Sequence, residues 1–160
     1  MPRKAARRGV EAFQRILDEL LAATNASRTT FRLDWPEWGL HVDDVAAEAR
    51  KPGVASLVGQ TSIDQRRAET VRWLERELRP LVQDDCSAAE HPPPAELVEL
   101  YGVRAQMLAP VARDDRLVGW VSVHQTGSTR RWASEDVGAF ERAAAAIDDA
   151  LRRYGEAGEL

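Results

Sequence analysis

The 160 residues suit one domain, and 44% apolar with 30% charged residues is a globular composition. No run of about 18 apolar residues occurs, so no membrane span is expected, and a formal net charge of −4 argues against a nucleic-acid binder. The single cysteine, Cys86, excludes an internal disulfide and a thiolate metal cage. The basic start lacks the apolar run of a secretory signal, which points to the cytoplasm.

In chain order, the cluster Arg3, Lys4, Arg7 and Arg8 reads as a flexible tail over 1–8. One domain is expected over 9–155 and a second tail over 156–160. All basic residues except Lys4 and Lys51 are arginines, which reads as coding bias in a GC-rich bacterial genome. Val10, Phe13, Ile16, Leu17, Leu20 and Leu21 recur at helical spacing and predict a helix from about Gly9 to Ala23. The β-branched and aromatic stretch SRTTFRLDW is the first strand, and Trp35 to Gly39 is a turn. Trp35 and Trp38 form either an internal apolar clasp or an exposed partner contact. Leu40 to Ala47 is expected as an edge strand, and Arg50 to Gln60 as a loop. Ser62 or Asp64 starts a helix through Leu78 that buries Ala68, Val71, Leu74 and Leu78, with Trp73 on a flank. Leu81-Val82-Gln83 is a short strand. A proline-rich loop follows, then a short helix from Ala95 to Tyr101.

Val103 to Gln125 reads as two apolar runs joined by the polar turn Arg113-Asp114-Asp115-Arg116, a β-hairpin. Side chains alternate along a strand. Leu117, Gly119, Val121 and Val123 therefore face one way, and Val118, Trp120, Ser122 and His124 the other. The second set mixes a ring, a hydroxyl and an imidazole, which suits a binding pocket. On the preceding strand, Gln106 and Leu108 alternate with Ala105, Met107 and Ala109. Ser134 caps the last helix, whose stripe Val137, Phe140, Ala144, Ile147, Leu151 and Tyr154 either docks on the sheet, meets a second copy beside the first helix, or does both.

This order of elements resembles a GAF domain. Leu81 to Asp85 looks like the family's strand ending in an acidic pair. Tyr101-Gly102-Val103-Arg104-Ala105 looks like its approach to the hairpin, Gly119 to His124 like its return strand, and Trp132 with Ser134-Glu135-Asp136 like the start of its closing helix. The resemblance implies an α+β fold of the GAF-like, PAS-related type. Its central antiparallel sheet has about six strands, with the terminal helices on one face and pocket helices and loops on the other. Thr126 to Phe140 contains neither Asn nor Lys, unlike the cyclic-nucleotide subfamily. The phytochrome-type domains are nearer, with His124 matching a histidine of their chromophore pocket. Pro93 and Pro94, however, stand where their attachment cysteine and short-helix histidine fall, so covalent bilin attachment there is not supported. The several cysteines of free methionine sulfoxide reductases are also missing.

The expected function is a non-catalytic small-molecule sensor, homodimeric through its terminal helices or acting through a regulatory protein partner. Its ligand-binding residues would be Asp84, Asp85, Gln106, Leu108, Trp120, Ser122 and His124. No metal, no defined cofactor, no nucleic acid and no membrane are expected, and the small molecule is unidentified. The alternatives are a small enzyme using Cys86, or His124 with Asp85, in redox or hydrolytic chemistry, and a ligand-free interaction module.

Overall fold

A computed structural model describes residues 2–156 of the chain. Helix α1 (Pro2–Thr24) leads into β1 (Arg28–Leu33) and, after a loop, β2 (Ala47–Arg50). Helix α2 (Glu69–Glu77), β3 (Leu81–Gln83) and the short α3 (Ala95–Glu99) follow. The long hairpin β4 (Val103–Arg113) and β5 (Arg116–Thr126) precedes α4 (Ser134–Leu151). The strands form one sheet in the order β2-β1-β5-β4-β3, with every neighbouring pair antiparallel. Asp114 and Asp115 both take positive φ at the hairpin tip, 53° and 60°. That is the backbone sense of the two-residue turn matching strand twist, and aspartate tolerates it well.

Helices α1 and α4 lie side by side on one face of the sheet. Phe13 and Leu17 of α1, with Phe140, Ile147 and Leu151 of α4, are fully buried against Phe31, Met107 and Val121. Phe13 meets Phe31 edge-on, with centroids 4.8 Å apart. Each such side chain contributes roughly 1.5–3 kcal/mol by leaving water. The stripe on α4 is thus its docking face on the sheet. Trp35 and Trp38 close the same core from below as an internal clasp, with rings 6.0 Å apart and Trp38 lying over Gly9. The opposite face is covered by the loop from Lys51 to Ala68, by α2 and by α3.

Several expectations are corrected. The sheet has five strands, not about six, and Leu40–Ala47 is not one of them. Asp34 and Asp44 accept the backbone N–H groups of Val42 and Val45, and the Asp43 N–H donates to His41 Nδ1, pulling the segment out of the ladder, and pairing begins only at Ala47. Residues 2–8 are not a separate tail but the first turns of α1, with Arg7 on Glu11 one turn later. The expected tail over 156–160 lies outside the described residues apart from Glu156. Helix α2 starts at Glu69, and Trp73 is buried within it, whereas Ala68 precedes it and Leu78 turns left-handed to end it. Ala133 holds the cap position of α4, and its N–H is taken by Asp136, so Ser134 is already helical.

Two β-bulges reset the alternation of the hairpin. Ala112 pairs with Leu117 while Val111 pairs with Gly119, so Val118 is an extra residue. It swings to the helical core and Leu117 to the opposite face, reversing the expected sides of both. At the other end the extra residue is Arg104, which puts Val103 on the far face from Ala105. Gly119 sits beside the first bulge where β1 passes closest. A methyl group there would lie 2.3 Å from the Arg32 carbonyl oxygen and 3.2 Å from Leu33 Cα. Gly119→Ala is expected to cost roughly 1–3 kcal/mol, read as a lower thermal midpoint. An unchanged midpoint contradicts this packing.

Candidate functional site

The sheet face away from α1 and α4 carries a polar lattice. Along β1, Thr29, Phe31 and Leu33 enter the helical side, which leaves Arg28, Thr30 and Arg32 on the other. Register then sets the rows. His124 stands between Arg28 and Gln106, Ser122 between Thr30 and Leu108, and Trp120 between Arg32 and Pro110. Leu57, Gln65, Thr70, Val71, Pro94 and Leu97 roof this lattice and close a chamber of about 20 Å³. That is room for about one water-sized group.

Two arginines dominate the chamber's electrostatics. Arg28 is 0% exposed and Arg32 4% exposed. Neither guanidinium is paired with a carboxylate among the described residues. Arg28 donates from Nε to His124 Nδ1 at 3.1 Å and from Nη1 to the Ala55 carbonyl at 2.6 Å, while its Nη2 is buried without a partner. Arg32 donates from Nη1 to the Val42 carbonyl at 3.0 Å. Burial pushes the Arg28 pKa down to about 10, with the charge of Glu48 acting against it. Burial likewise pushes Arg32 down to about 10, opposed by Asp44 and Asp43. Both groups stay cationic at neutral pH.

The bond from Arg28 fixes the state of His124. A guanidinium only donates, so Nδ1 carries the lone pair and the ring proton sits on Nε2. Burial, and then the charges of Arg28 and Arg32, hold the imidazole well below its ordinary 6.5. His124 is therefore a neutral Nε2–H donor lining the chamber.

The nearby carboxylates are committed to the roof. Glu48 accepts from Ser56 Oγ and Leu57 N at 2.6 and 2.7 Å, Asp44 from Gly59 N at 2.9 Å, and Asp43 from Gln65 N at 3.0 Å. These bonds pin the loop from Lys51 to Ala68 over the sheet. Gln65, held at the end of that series, is 3% exposed, lines the chamber and leaves Nε2 without a partner.

Of the residues singled out in the sequence, Gln106, Leu108, Trp120, Ser122 and His124 line this one chamber. Gln106 also donates to Gln83 Oε1 at 2.8 Å, and Gln83 to the His91 carbonyl, which ties β4 to β3 and the proline loop. Asp84 and Asp85 are placed elsewhere. Asp84 accepts from Trp132 N at 3.2 Å and so anchors the segment leading into α4. Asp85 accepts from Ser87 N and Oγ, closing the short turn at Cys86–Ala88. Both line an open surface cleft of about 480 Å³ with Trp73, Arg79 and His91. His124 and Asp85 are thus not brought together. Cys86 is buried beside Leu57, Leu97 and Val103, and burial, then the charge of Asp85, pushes its thiol up to about 11. No cluster of three metal-ligating side chains occurs among the described residues, and no described helix is long and apolar enough to cross a membrane. Arg28, Arg32 and Gln65 are not among the residues expected at the site.

The GAF domain family model matches residues 9–151. No protein of curated function matches the chain. Solved structures share its fold. The GAF domain of PixJ from Thermosynechococcus elongatus, in its blue-light-absorbing form, superposes with a TM-score of 0.74 at 18% identity, over 98% of this chain and 92% of that one. The chromophore-binding domain of a bacteriophytochrome from R. palustris gives 0.69 at 21% identity, over 98% of this chain and 61% of that one. A far-red-absorbing dark state with bound biliverdin gives 0.66 at 18% identity, over 94% and 99%.

Two outcomes follow from the electrostatics. Unfolded, His124 takes up a proton near pH 6.5, and folded it does not. Acid therefore favours the unfolded chain, and stability falls below pH 6.5 by up to about 1.4 kcal/mol per pH unit. In urea titrations between pH 6.5 and 5.5, His124→Gln keeps an acceptor for Arg28 and removes this part of the slope; an identical slope contradicts the neutral ring. For the arginines the sign is the same and only the pH window is higher. Their depressed folded pKa destabilises the fold at every pH below about 10, and the penalty fades only above it. Arg32→Met in low-salt buffer at neutral pH is therefore expected to gain about 1 kcal/mol, measured by thermal unfolding. A clear loss contradicts an uncompensated charge.

Proposed function

Because this chain belongs to the GAF domain family, we propose that it is a small-molecule-binding sensor module, non-catalytic and working in the cytoplasm, with the chamber behind the sheet as its ligand site. The observation that carries this is the buried row of Arg28, Thr30 and Arg32 facing Trp120, Ser122 and His124. A face kept only for stability is filled with apolar side chains, because buried polar groups cost free energy unless matched. Here that cost is concentrated at one enclosed spot on rigid strands, where a ligand can offset it.

The size of the chamber bears on the ligand. Pockets for drug-sized molecules hold roughly 300–1,000 Å³, against about 20 Å³ here. The related domains named above include a biliverdin-bound one, but this chain's ligand is small, or is admitted by displacement of the roof. The chemistry favours binding over turnover. The Cys86 thiol is protonated at neutral pH, kept so by burial and by the charge of Asp85. His124 spends Nδ1 on a cation and lacks the carboxylate that orients a catalytic imidazole.

Ligand state reaches a partner through the pinned loop and the paired terminal helices. The flank of α1 and α4 left open beside the sheet carries Ile16, Ala139 and Ala146, suited to a second copy or a regulatory protein.

A thermal-shift screen across charged and neutral metabolites tests the site. At least one compound is expected to stabilise the wild type and not Ser122→Leu, whose larger side chain fills the chamber and whose folding is checked by near-ultraviolet circular dichroism. If no compound acts, or if both proteins respond alike, the chamber is not the ligand site.

A further inference from the structure

On this face of the sheet two buried side-chain groups among the described residues are unmatched, and both are donors. Arg28 Nη2 and Gln65 Nε2 are buried N–H donors without a partner. Arg32 makes a single side-chain hydrogen bond, to a carbonyl, and a guanidinium has five N–H groups to place. The Nε2–H of His124 adds another donor, since Arg28 occupies the ring's other nitrogen. The hydroxyls of Thr30 and Ser122 can turn to donate as well. Two positive charges stand within this set. The three carboxylates nearest to it, Asp43, Asp44 and Glu48, are engaged by the roof segment.

On the reading that the chamber is the ligand site, we propose that it takes a small anion, a halide in the chamber as it stands or, with outward displacement of the roof, a planar oxyanion such as formate or nitrate, held by Arg32, Gln65 and the Nε2–H of His124. A water molecule placed there supplies acceptors but no charge, so both guanidiniums remain uncompensated. An anion supplies both, and charge-assisted bonds to it are about twice as strong as neutral ones. Arg28 acts as a positioning residue. It does not line the chamber, but it fixes the tautomer that makes His124 a donor, and it holds the roof through the Ala55 carbonyl at 2.6 Å. The bound anion also neutralises the charge beneath the roof, which couples occupancy to closure of the segment that Glu48, Asp44 and Asp43 pin.

The test is calorimetric titration of the desalted full-length protein at pH 7.5, in a zwitterionic buffer without chloride, with sodium formate, sodium nitrate and sodium chloride separately. Formamide is the neutral isostere of formate. At least one anion is expected to bind saturably at one site per chain, with no binding of formamide, at least ten-fold weaker binding in Arg32→Met, and partial recovery in Arg32→Lys. Binding of none of the three anions overturns the assignment, as does binding of equal strength in Arg32→Met, which marks non-specific association. If a neutral compound stabilises the wild type but not Ser122→Leu while no anion binds, the anion is wrong and the sensor reading survives. If neither kind of ligand is found, both fail.

Discussion

A guanidinium gives hydrogen bonds and cannot receive them. That asymmetry, placed at Arg28 in the middle of a folded sheet, organises the face opposite the terminal helices. Its Nε–H dictates which nitrogen of His124 keeps the proton, and its positive charge helps keep that ring neutral. Through Ala55 it also reaches the roof, so one side chain bridges the strand floor, the imidazole and the covering loop. The helical face obeys a simpler rule: it is filled with Phe, Leu, Val and Ile in edge-on and interdigitated contact, and it supplies the stability on which a costly polar face can rest.

The roof has its own logic. Its path from Lys51 to Ala68 contains little regular structure, and its backbone donors need partners. Three carboxylates of the preceding segment provide them in reverse sequence order, Glu48 nearest the loop's start and Asp43 nearest its end. The same acids lie close enough to the arginines to temper their desolvation without pairing with them. Positive charge is thus left on the floor and negative charge is spent on the lid, an arrangement that favours an anionic guest over a self-contained salt-bridge network.

Much of this was legible in the chain. The period of Phe13, Leu17 and Leu20 gave α1, the paired apolar runs gave the hairpin, and the alternation of Trp120, Ser122 and His124 located the chamber's back wall. The acidic residues misled in two ways. Asp43 and Asp44 read as acidic residues within an edge strand, whereas they bind loop backbone. Asp84 and Asp85 read as groups of the cavity beside His124, whereas they line a separate surface cleft, Asp84 anchoring the segment into α4 and Asp85 closing a turn. Bulges at Val118 and Arg104 carry no sequence mark that alternation alone can reveal. The arginines were hidden by abundance: in a chain where nearly all cations are arginine, two more drew no notice. The available signal was positional. Arg28, Thr30 and Arg32 share one face of a strand whose other face is Thr29, Phe31 and Leu33, and that strand pairs with the one carrying His124.

The protonation state of His124 in the intact protein tests this electrostatic design most directly. Long-range proton–nitrogen correlation spectra of nitrogen-15-labelled protein are expected to show a neutral ring protonated at Nε2, with Nδ1 an acceptor, persisting from pH 7.5 down to pH 5.5. An imidazolium appearing near pH 6.5, or a ring protonated at Nδ1, contradicts the Arg28 contact and the donor-lined chamber built upon it.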